Sequence, residues 1–223
     1  MSDGREHDNM PYKLTFPEAE ADYLRRRYED ARVILEYGSG GSTWLGAQMP
    51  GKYVMSVESD RDWAIGLQQE IDAAALPSPA VVWHIDIGAT GAWGRPIDDS
   101  AHARYHRYPL AIWDQPFFRH PDLVLIDGRF RPACLATVCL RVTRPVTVLF
   151  DDYADREKYH VVERFAKPVE TVGRMAVFEI KPDDIPKSAM SMVIGLFAQA
   201  TLASRKTDYR LPPEDYARFL ESG

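Results

Sequence analysis

Residues 32–43 read RVILEYGSGGST and decide the fold of this chain. The first seven residues form a short apolar run that ends at Gly38, and a helix-compatible stretch, TWLGAQM, begins at Thr43. This order predicts a strand, a tight turn and a helix. Three glycines at the turn let the backbone approach a ligand closely and point its amides at an anionic group.

The same alternation recurs along the chain. Strands are predicted over 53–59, 80–86, 122–128 and 147–153, and helices over 62–75, over 132–142 and from the last of these strands to about Ala166. The apolar runs are continuous, as expected for strands that helices cover on both faces. VETVG and RMAVFEI flank Gly173 too closely for a helical crossover, so they predict an antiparallel hairpin. The fold class is therefore α/β, a doubly wound, Rossmann-like, mostly parallel sheet with a C-terminal β-hairpin.

Three segments frame this sheet. Residues 1–12 are polar and predict a flexible arm before a domain at 13–182, in which Thr15 and Glu18 predict a capping box for the first helix, through about Tyr28. Residues 88–121 form a long, irregular, aromatic-rich insert, typical of a lid.

Residues 183–223 are predicted to be a helical extension. Its uncharged stretch, residues 188–204, predicts one helix that packs against the sheet or a second subunit; it is too short to span a bilayer. Contact with a membrane is the less favoured alternative for this stretch, and packing on a second subunit would make the protein a homodimer.

Composition excludes several functions. The 223 residues carry 27 Lys plus Arg against 33 Asp plus Glu, a net charge of −6, which disfavours nucleic acid and anionic membranes as partners. The apolar fraction of 45% is enough for a packed core. The start of the sequence has no apolar signal-like region, and Cys134 and Cys139 are expected to be thiols, so a cytoplasmic location is expected.

Acidic residues lie at the predicted ends of successive strands. Glu58 comes twenty residues after Gly38, where a carboxylate can accept hydrogen bonds from both hydroxyls of a ribose, and Asp86 ends the next strand. Glu36 would repel a pyrophosphate but suits a ligand that carries an ammonium group. The dinucleotide pattern G-x-G-x-x-G fits only in part, because Thr43 stands at its third glycine. A turn with no ligand remains the alternative.

The stretch E-x-G-x-G-G-S-T at 36–43 resembles the first motif of class I S-adenosylmethionine-dependent methyltransferases, and the resemblance covers roughly residues 30–182. It implies the strand order 3-2-1-4-5-7-6 and S-adenosylmethionine as cofactor. The implied cofactor-binding residues are Glu36, Gly38, Ser39 and Gly40 at the methionine, Glu58 at the ribose, and Asp86 with the Ile87 amide at the adenine.

Asp127, Asp151 and Asp152 end the fourth and fifth strands, so their carboxylates should converge and could hold Mg²⁺. Their position resembles that of the metal-binding residues in the metal-dependent O-methyltransferases. The sequence DDY at 151–153, together with Glu163 and Phe165, also resembles sugar O-methyltransferases. In the former, the metal lowers the pKa of a substrate hydroxyl. The alternative is structural: these aspartates cap a helix or hold the loop with Arg129. The family's lysine is replaced here by Phe130.

Three residues are candidates for the catalytic base: Asp127, His106 and His160. Arg129 and Arg131 could bind an anionic substrate or be surface charges.

The sequence thus predicts an enzyme that transfers the methyl group of S-adenosylmethionine to a small molecule, at an oxygen. Two alternatives stay open. One is a non-catalytic protein that keeps the methyltransferase fold for binding or interaction, and the other is an NAD(P)-dependent oxidoreductase.

Overall fold

The computed structural model describes residues 12–182 and 185–203, which form one seven-stranded sheet in the order β3-β2-β1-β4-β5-β7-β6. The strands are β1 Val33–Tyr37, β2 Tyr53–Glu58, β3 Ala80–His84, β4 Leu123–Ile126, β5 Val146–Phe150, β6 Glu170–Val172 and β7 Met175–Ile180. The first five strands are parallel, and β7 is antiparallel to β5 and β6. The predicted doubly wound sheet, its hairpin and its strand order are confirmed.

Helices cover both faces of the sheet. They are α1 Glu18–Asp30, α2 Gly41–Gln48, α3 Arg61–Ala74, α4 Arg107–Leu110, α5 Arg131–Arg141 and α6 Met190–Leu196. Apolar residues of α1, α2 and α3 form the core on one face, whereas α5, α6 and the insert supply the core on the other. This two-sided burial explains why the strands read as continuous apolar runs.

The insert is part of the packed fold. Because β3 lies at the edge of the sheet and β4 lies beside β1, the chain between them must cross the sheet face. It does so through short 3₁₀ turns and α4, and it buries Tyr105, Tyr108 and Ile112 in the core. A lid movement of this segment stays a prediction.

Two predicted helices differ from the structure. Helix α1 has Pro17 at its N-cap and no capping side-chain bond, so the capping box from Thr15 is wrong. A residue before proline is pushed out of the helical region, which prevents a helix from starting before Pro17. After β5 the chain forms a 3₁₀ turn over Glu157–Arg164 instead of an α-helix, and the three-residue spacing buries Tyr159 and Val162 together.

The C-terminal helix is shorter than predicted. Helix α6 covers only Met190–Leu196, after a 3₁₀ turn at Lys187–Ala189, and it buries Val193 and Leu196. Gly195, a poor helix former, stands where the helix ends. No helix within the described residues is both long and apolar enough to cross a bilayer.

The predicted arm falls outside the described residues except at its last residue. Tyr12 packs its ring on Trp44 and Trp63, with centroid distances of 5.7 and 5.5 Å. Tyr12 therefore contacts α2 and α3, and the predicted bounds of the arm and the domain stay predictions.

Candidate cofactor and active site

The glycine turn, residues 38–41, brings the ends of β1 and β4 into contact. Gly38 has a φ of +102°, which favours glycine, and a Cβ atom there would lie 2.7 Å from the Gly128 nitrogen. Gly40 is the N-cap of α2, and a Cβ atom there would meet only Trp63, at 3.9 Å. The turn is closed on its β4 side and open at Gly40, as a backbone cradle for a ligand requires.

Glu58 is held against the glycine turn. Its Oε1 accepts hydrogen bonds from the backbone N–H groups of Ser59 and Asp60 at 2.6 and 2.9 Å, and its Oε2 accepts from the N–H and hydroxyl of Ser39 at 3.3 and 3.0 Å. The carboxylate is therefore fixed beside the turn, where the predicted ribose contact needs it. Ser39 already donates to Oε2 of Glu58, the oxygen that ribose hydroxyls would reach. The predicted roles of Ser39 at the methionine and Glu58 at the ribose stay predictions.

Glu36 lies in the interior. The Tyr28 hydroxyl donates to it at 2.6 Å, and the Thr43 hydroxyl donates to its other oxygen. Burial raises the pKa of Glu36, and the hydrogen bonds from Thr43 and Tyr28 only partly offset this effect. The side chain thus ties α1 and α2 to β1, and its predicted contact with a ligand ammonium stays a prediction.

Asp86 and Ile87 follow β3 in a loop that the insert contacts. Asp86 is half-exposed, accepts the Gly88 N–H at 2.9 Å and forms an ion pair with Arg104 of the insert. Ile87 has a buried side chain. The insert therefore reaches the predicted adenine position, a contact that the sequence analysis missed.

The three aspartates at the ends of β4 and β5 form an acid cluster, defined as Asp127, Asp151 and Asp152. One oxygen from each lies within 4.8 Å of the others, so the predicted convergence is confirmed. The Asp151 side chain is 1% exposed and that of Asp152 is 15% exposed. Asp152 has a φ of +56°, a left-handed conformation that aspartate tolerates better than most residues.

Arg131 contacts all three members of the acid cluster, with Asp151 the most distant, at 4.0 Å from its Nη1 to Oδ2. Its Nη2 lies 2.9 Å from Oδ1 of Asp127, and its Nη1 lies 3.1 Å from Oδ2 of Asp152. It also donates to the backbone carbonyls of Gly128 and Asp151. Burial lowers the pKa of Arg131, but the neighbouring aspartates more than offset this and raise it overall.

Arg174 and Arg156 complete the pairing. Arg174 grips Asp151 with two hydrogen bonds, Nε to Oδ1 at 3.0 Å and Nη2 to Oδ2 at 2.9 Å. Arg156 lies 2.7 Å from Oδ2 of Asp152. Three carboxylates thus face three guanidinium groups.

This pairing decides whether the acid cluster fits a metal. A Mg²⁺ ion needs carboxylate oxygens directed at it, and here guanidinium groups hold oxygens of all three aspartates. A cation placed among them would also be repelled by Arg131, which is 6% exposed and lies between two of the aspartates. The residues in this arrangement do not fit the ion.

Asp127 has the most perturbed carboxyl of the acid cluster. Burial raises its pKa to about 7; Arg131 opposes that shift, and the charges of Asp151 and Asp152 add to it. Arg131 holds its Oδ1, and within the described residues no donor reaches its Oδ2. Asp127 can therefore take up a proton near neutral pH.

The two histidine candidates lie apart from this carboxyl. His160 places Nε2 3.1 Å from the Tyr153 carbonyl oxygen and stacks on the Tyr153 ring at 4.8 Å. His106 is exposed just before α4. No hydrogen bond or ion pair within residues 12–182 and 185–203 joins either histidine to Asp127, so their roles as bases stay predictions.

The pairing of Arg131, Arg156 and Arg174 with the acid cluster was not predicted, although their positions in the sequence carry signals for it. In the antiparallel pairing Phe150 lies opposite Ala176, so the turn of the hairpin must place Arg174 beside the end of β5. Arg156 and Arg131 each follow an aspartate by four residues, the spacing of helical ion pairs.

No family model matches this chain, and a search of curated proteins also finds no match. A methyltransferase-like protein from Silicibacter pomeroyi, known from its crystal structure, is 46% identical, with a TM-score of 0.81. The match covers 84% of this chain and 98% of that protein. An O-methyltransferase from Bacillus cereus, solved in complex with SAH, is 17% identical over 77% of this chain and 84% of its own, with a TM-score of 0.52, and shares the fold.

The first of these relatives is similar enough, over nearly its whole length, to show the family. Together with the strand order and the glycine turn of this chain, this similarity leads to one conclusion: the chain belongs to the class I S-adenosylmethionine-dependent methyltransferases.

Proposed function

We propose that this methyltransferase acts on a hydroxyl oxygen of a small molecule, with Asp127 as the general base and no metal ion in the reaction. The observation that carries the proposal is the place of Asp127. It ends β4, next to Gly128, which touches the glycine turn. Its raised pKa gives it the strength of a base that works at neutral pH.

The chemistry follows from the geometry of this carboxyl. When bound, S-adenosylmethionine supplies an electrophilic methyl group on a sulfonium. Oδ2 of Asp127 would take the proton of the acceptor hydroxyl and so make its oxygen the nucleophile for that methyl group, and the thioether of S-adenosylhomocysteine would be the leaving group. Arg131 holds Oδ1 and so fixes the direction of the other oxygen. Gly38 and Gly128 provide the close backbone contact against which reactants are aligned.

The balanced charge of the acid cluster supports a reaction without Mg²⁺. In metal-dependent O-methyltransferases, which the acid cluster resembles by position, the ion lowers the pKa of the acceptor hydroxyl. Here the three guanidinium groups already neutralise the carboxylates, and Asp127 provides a proton acceptor of its own.

One observation favours a second candidate, a non-catalytic protein that uses the methyltransferase fold for binding. Ser39 and Arg104 already hold Glu58 and Asp86, the carboxylates expected at the ribose and the adenine. A cofactor would have to compete with these internal partners.

The test is release of S-adenosylhomocysteine from S-adenosylmethionine with a panel of hydroxylated small molecules. We expect turnover with at least one hydroxyl acceptor and an unchanged rate in EDTA. Turnover that EDTA abolishes and Mg²⁺ restores would contradict the metal-free reaction. Methylation only of amines would contradict the oxygen acceptor. Absence of both cofactor binding and turnover would favour the second candidate.

A further inference from the structure

Two arginines at the carboxyl ends of the strands are unlike those of the acid cluster. The first is Arg129, which follows Gly128 and so lies where β4 meets the glycine turn. Its backbone N–H donates to the Tyr108 hydroxyl at 3.3 Å, which ties this position to the insert. The side chain is only partly exposed.

The second is Arg95, on the insert. It follows Gly94, which packs directly on the end of β2: the Ser59 hydroxyl donates to the Gly94 carbonyl at 2.8 Å, and a Cβ atom on Gly94 would lie 3.0 Å from Oε1 of Glu58. The Nε atom of Arg95 is buried and has no hydrogen-bond partner within the described residues. A buried, unpartnered guanidinium nitrogen points to a ligand that carries acceptor oxygens.

In the part of the chain that the structure describes, neither of these two guanidinium groups is directly paired with a carboxylate. Within residues 12–182 and 185–203 no carboxylate lies within ion-pair distance of either guanidinium, whereas Arg131, Arg156 and Arg174 all have such partners. Burial lowers the pKa of Arg129, the charges of Arg131 and Arg95 lower it further, and Tyr108 and Asp127 only partly oppose this, so Arg95 and Arg129 repel each other. Removing unpaired charges from water is unfavourable, and an anion that bridged the two groups would relieve that cost.

We propose that Arg95 and Arg129 form an oxyanion site that binds the carboxylate or phosphate of the methyl acceptor. The inference rests on the proposed function and narrows the acceptor to a small molecule that carries both a hydroxyl and an anionic group. The cofactor's own carboxylate is the other source of such oxygens. We favour the acceptor as the source of the anion. The cofactor brings one carboxylate but also a positive sulfonium and a positive ammonium, so it cannot balance the charge of two guanidinium groups.

Calorimetric titration with inorganic phosphate tests the site, with and without saturating S-adenosylhomocysteine. Arg95→Gln and Arg129→Gln are each expected to weaken phosphate binding at least about tenfold, because each removes charge-assisted hydrogen bonds. Arg144→Gln is the control. It makes the same change of charge, but Arg144 pairs with Asp122, 3.0 Å away, at the amino ends of the strands, and phosphate affinity should not change. Thermal melting checks that each variant stays folded.

The affinity of the two variants for S-adenosylhomocysteine, the cofactor product, shows whether the acceptor or the cofactor supplies the anion. We expect both variants to bind S-adenosylhomocysteine, and its analogue without the carboxylate, as the unaltered protein does. If the variants lose affinity for S-adenosylhomocysteine but not for that analogue, the arginines serve the cofactor and the acceptor assignment is overturned.

Absence of saturable phosphate binding to the unaltered protein, or variants that bind phosphate as tightly as the unaltered protein does, overturns the site itself. Failure of the proposed function would look different: S-adenosylhomocysteine would not bind, while phosphate could still be titrated.

Discussion

Asp127 shows how a single residue acquires its chemistry from its neighbours. It ends a buried strand, shares the acid cluster with two more carboxylates and has one oxygen held by Arg131. Burial and like charge favour its protonated form, and the arginine limits that shift. The result is a carboxyl that changes charge near neutral pH, where a general base is most effective.

Asp127→Asn should lower kcat/KM by about 100-fold to 10,000-fold, because the amide cannot accept the proton of the acceptor. In the unaltered enzyme the ionised carboxylate is the active form, so the rate should rise with pH, with a midpoint near 7, and level off above it. The variant should lose that rise. Asp155→Asn, an exposed change of the same kind after β5, should keep both the rate and the profile. A pH profile unaltered in Asp127→Asn would refute the role of this carboxyl.

Arg174→Ala should destabilise the fold by about 3 kcal/mol, because Asp151 is almost fully buried and would lose its bidentate partner. Adding Asp151→Asn should recover much of that loss, since the remaining side chain carries no charge. Urea unfolding of the two single variants and the double variant measures this coupling, and Arg164→Ala, an exposed change, is the control. Strictly additive effects would show that the pair contributes nothing.

At the scale of elements, one strand, turn and helix determine where the other parts meet. Gly38 lets β1 end against Gly128, and the insert then packs over this junction through Tyr108, whose hydroxyl donates to the Val57 carbonyl at 3.3 Å. The hairpin turn brings Arg174 to the same edge. Segments distant in sequence are thereby gathered at the carboxyl ends of the parallel strands.

Gly38→Ala should destabilise the protein by more than Gly51→Ala does. Both glycines have a positive φ, of +102° and +77°, but a Cβ atom at Gly51 meets nothing within 4 Å, whereas one at Gly38 collides with the backbone of Gly128. The strain of a left-handed residue alone, about 1 to 2 kcal/mol, is expected at Gly51. Gly38→Ala should lower the free energy of unfolding by that amount plus the cost of separating β1 from β4. Equal midpoints in urea unfolding would argue against this close contact.

Local patterns sufficed for the strands and for the turns between them. The run before Asp127 is apolar throughout, the run before Gly38 is apolar apart from Glu36, and Gly173 marks the hairpin, so these elements could be placed from sequence. The segment after β5, predicted as a helix through Ala166, could not be assigned correctly from sequence. Whether a short segment takes 3₁₀ or α geometry depends on what it packs against.

The acid cluster was predictable as three strand-end carboxylates, but its arginines arrive from other elements. Arg156 and Arg174 come from the turn after β5 and from the hairpin, and their ion pairs depend on the folded arrangement. A pattern of acidic residues alone therefore suggested a metal where the fold supplies guanidinium groups.

At the scale of the whole molecule, the sheet order places the glycine turn between two sets of charged groups. Glu58 and Asp86 lie on the side of β2 and β3, and the acid cluster lies on the side of β4 and β5. The insert crosses one face of the sheet and contacts both sides, through Arg104 at Asp86 and Tyr108 at Arg129. In the reaction that we propose, cofactor and acceptor meet above β1, with the carboxyl of Asp127 beside them.

Calorimetric titration with S-adenosylhomocysteine tests the central claim, that the carboxyl ends of these strands bind the adenosyl cofactor. We predict saturable binding to one site, no binding of NAD, and affinity about tenfold weaker or more in Glu58→Gln, with no change in the exposed control Glu29→Gln. Absence of binding, or full affinity in Glu58→Gln, would contradict the account.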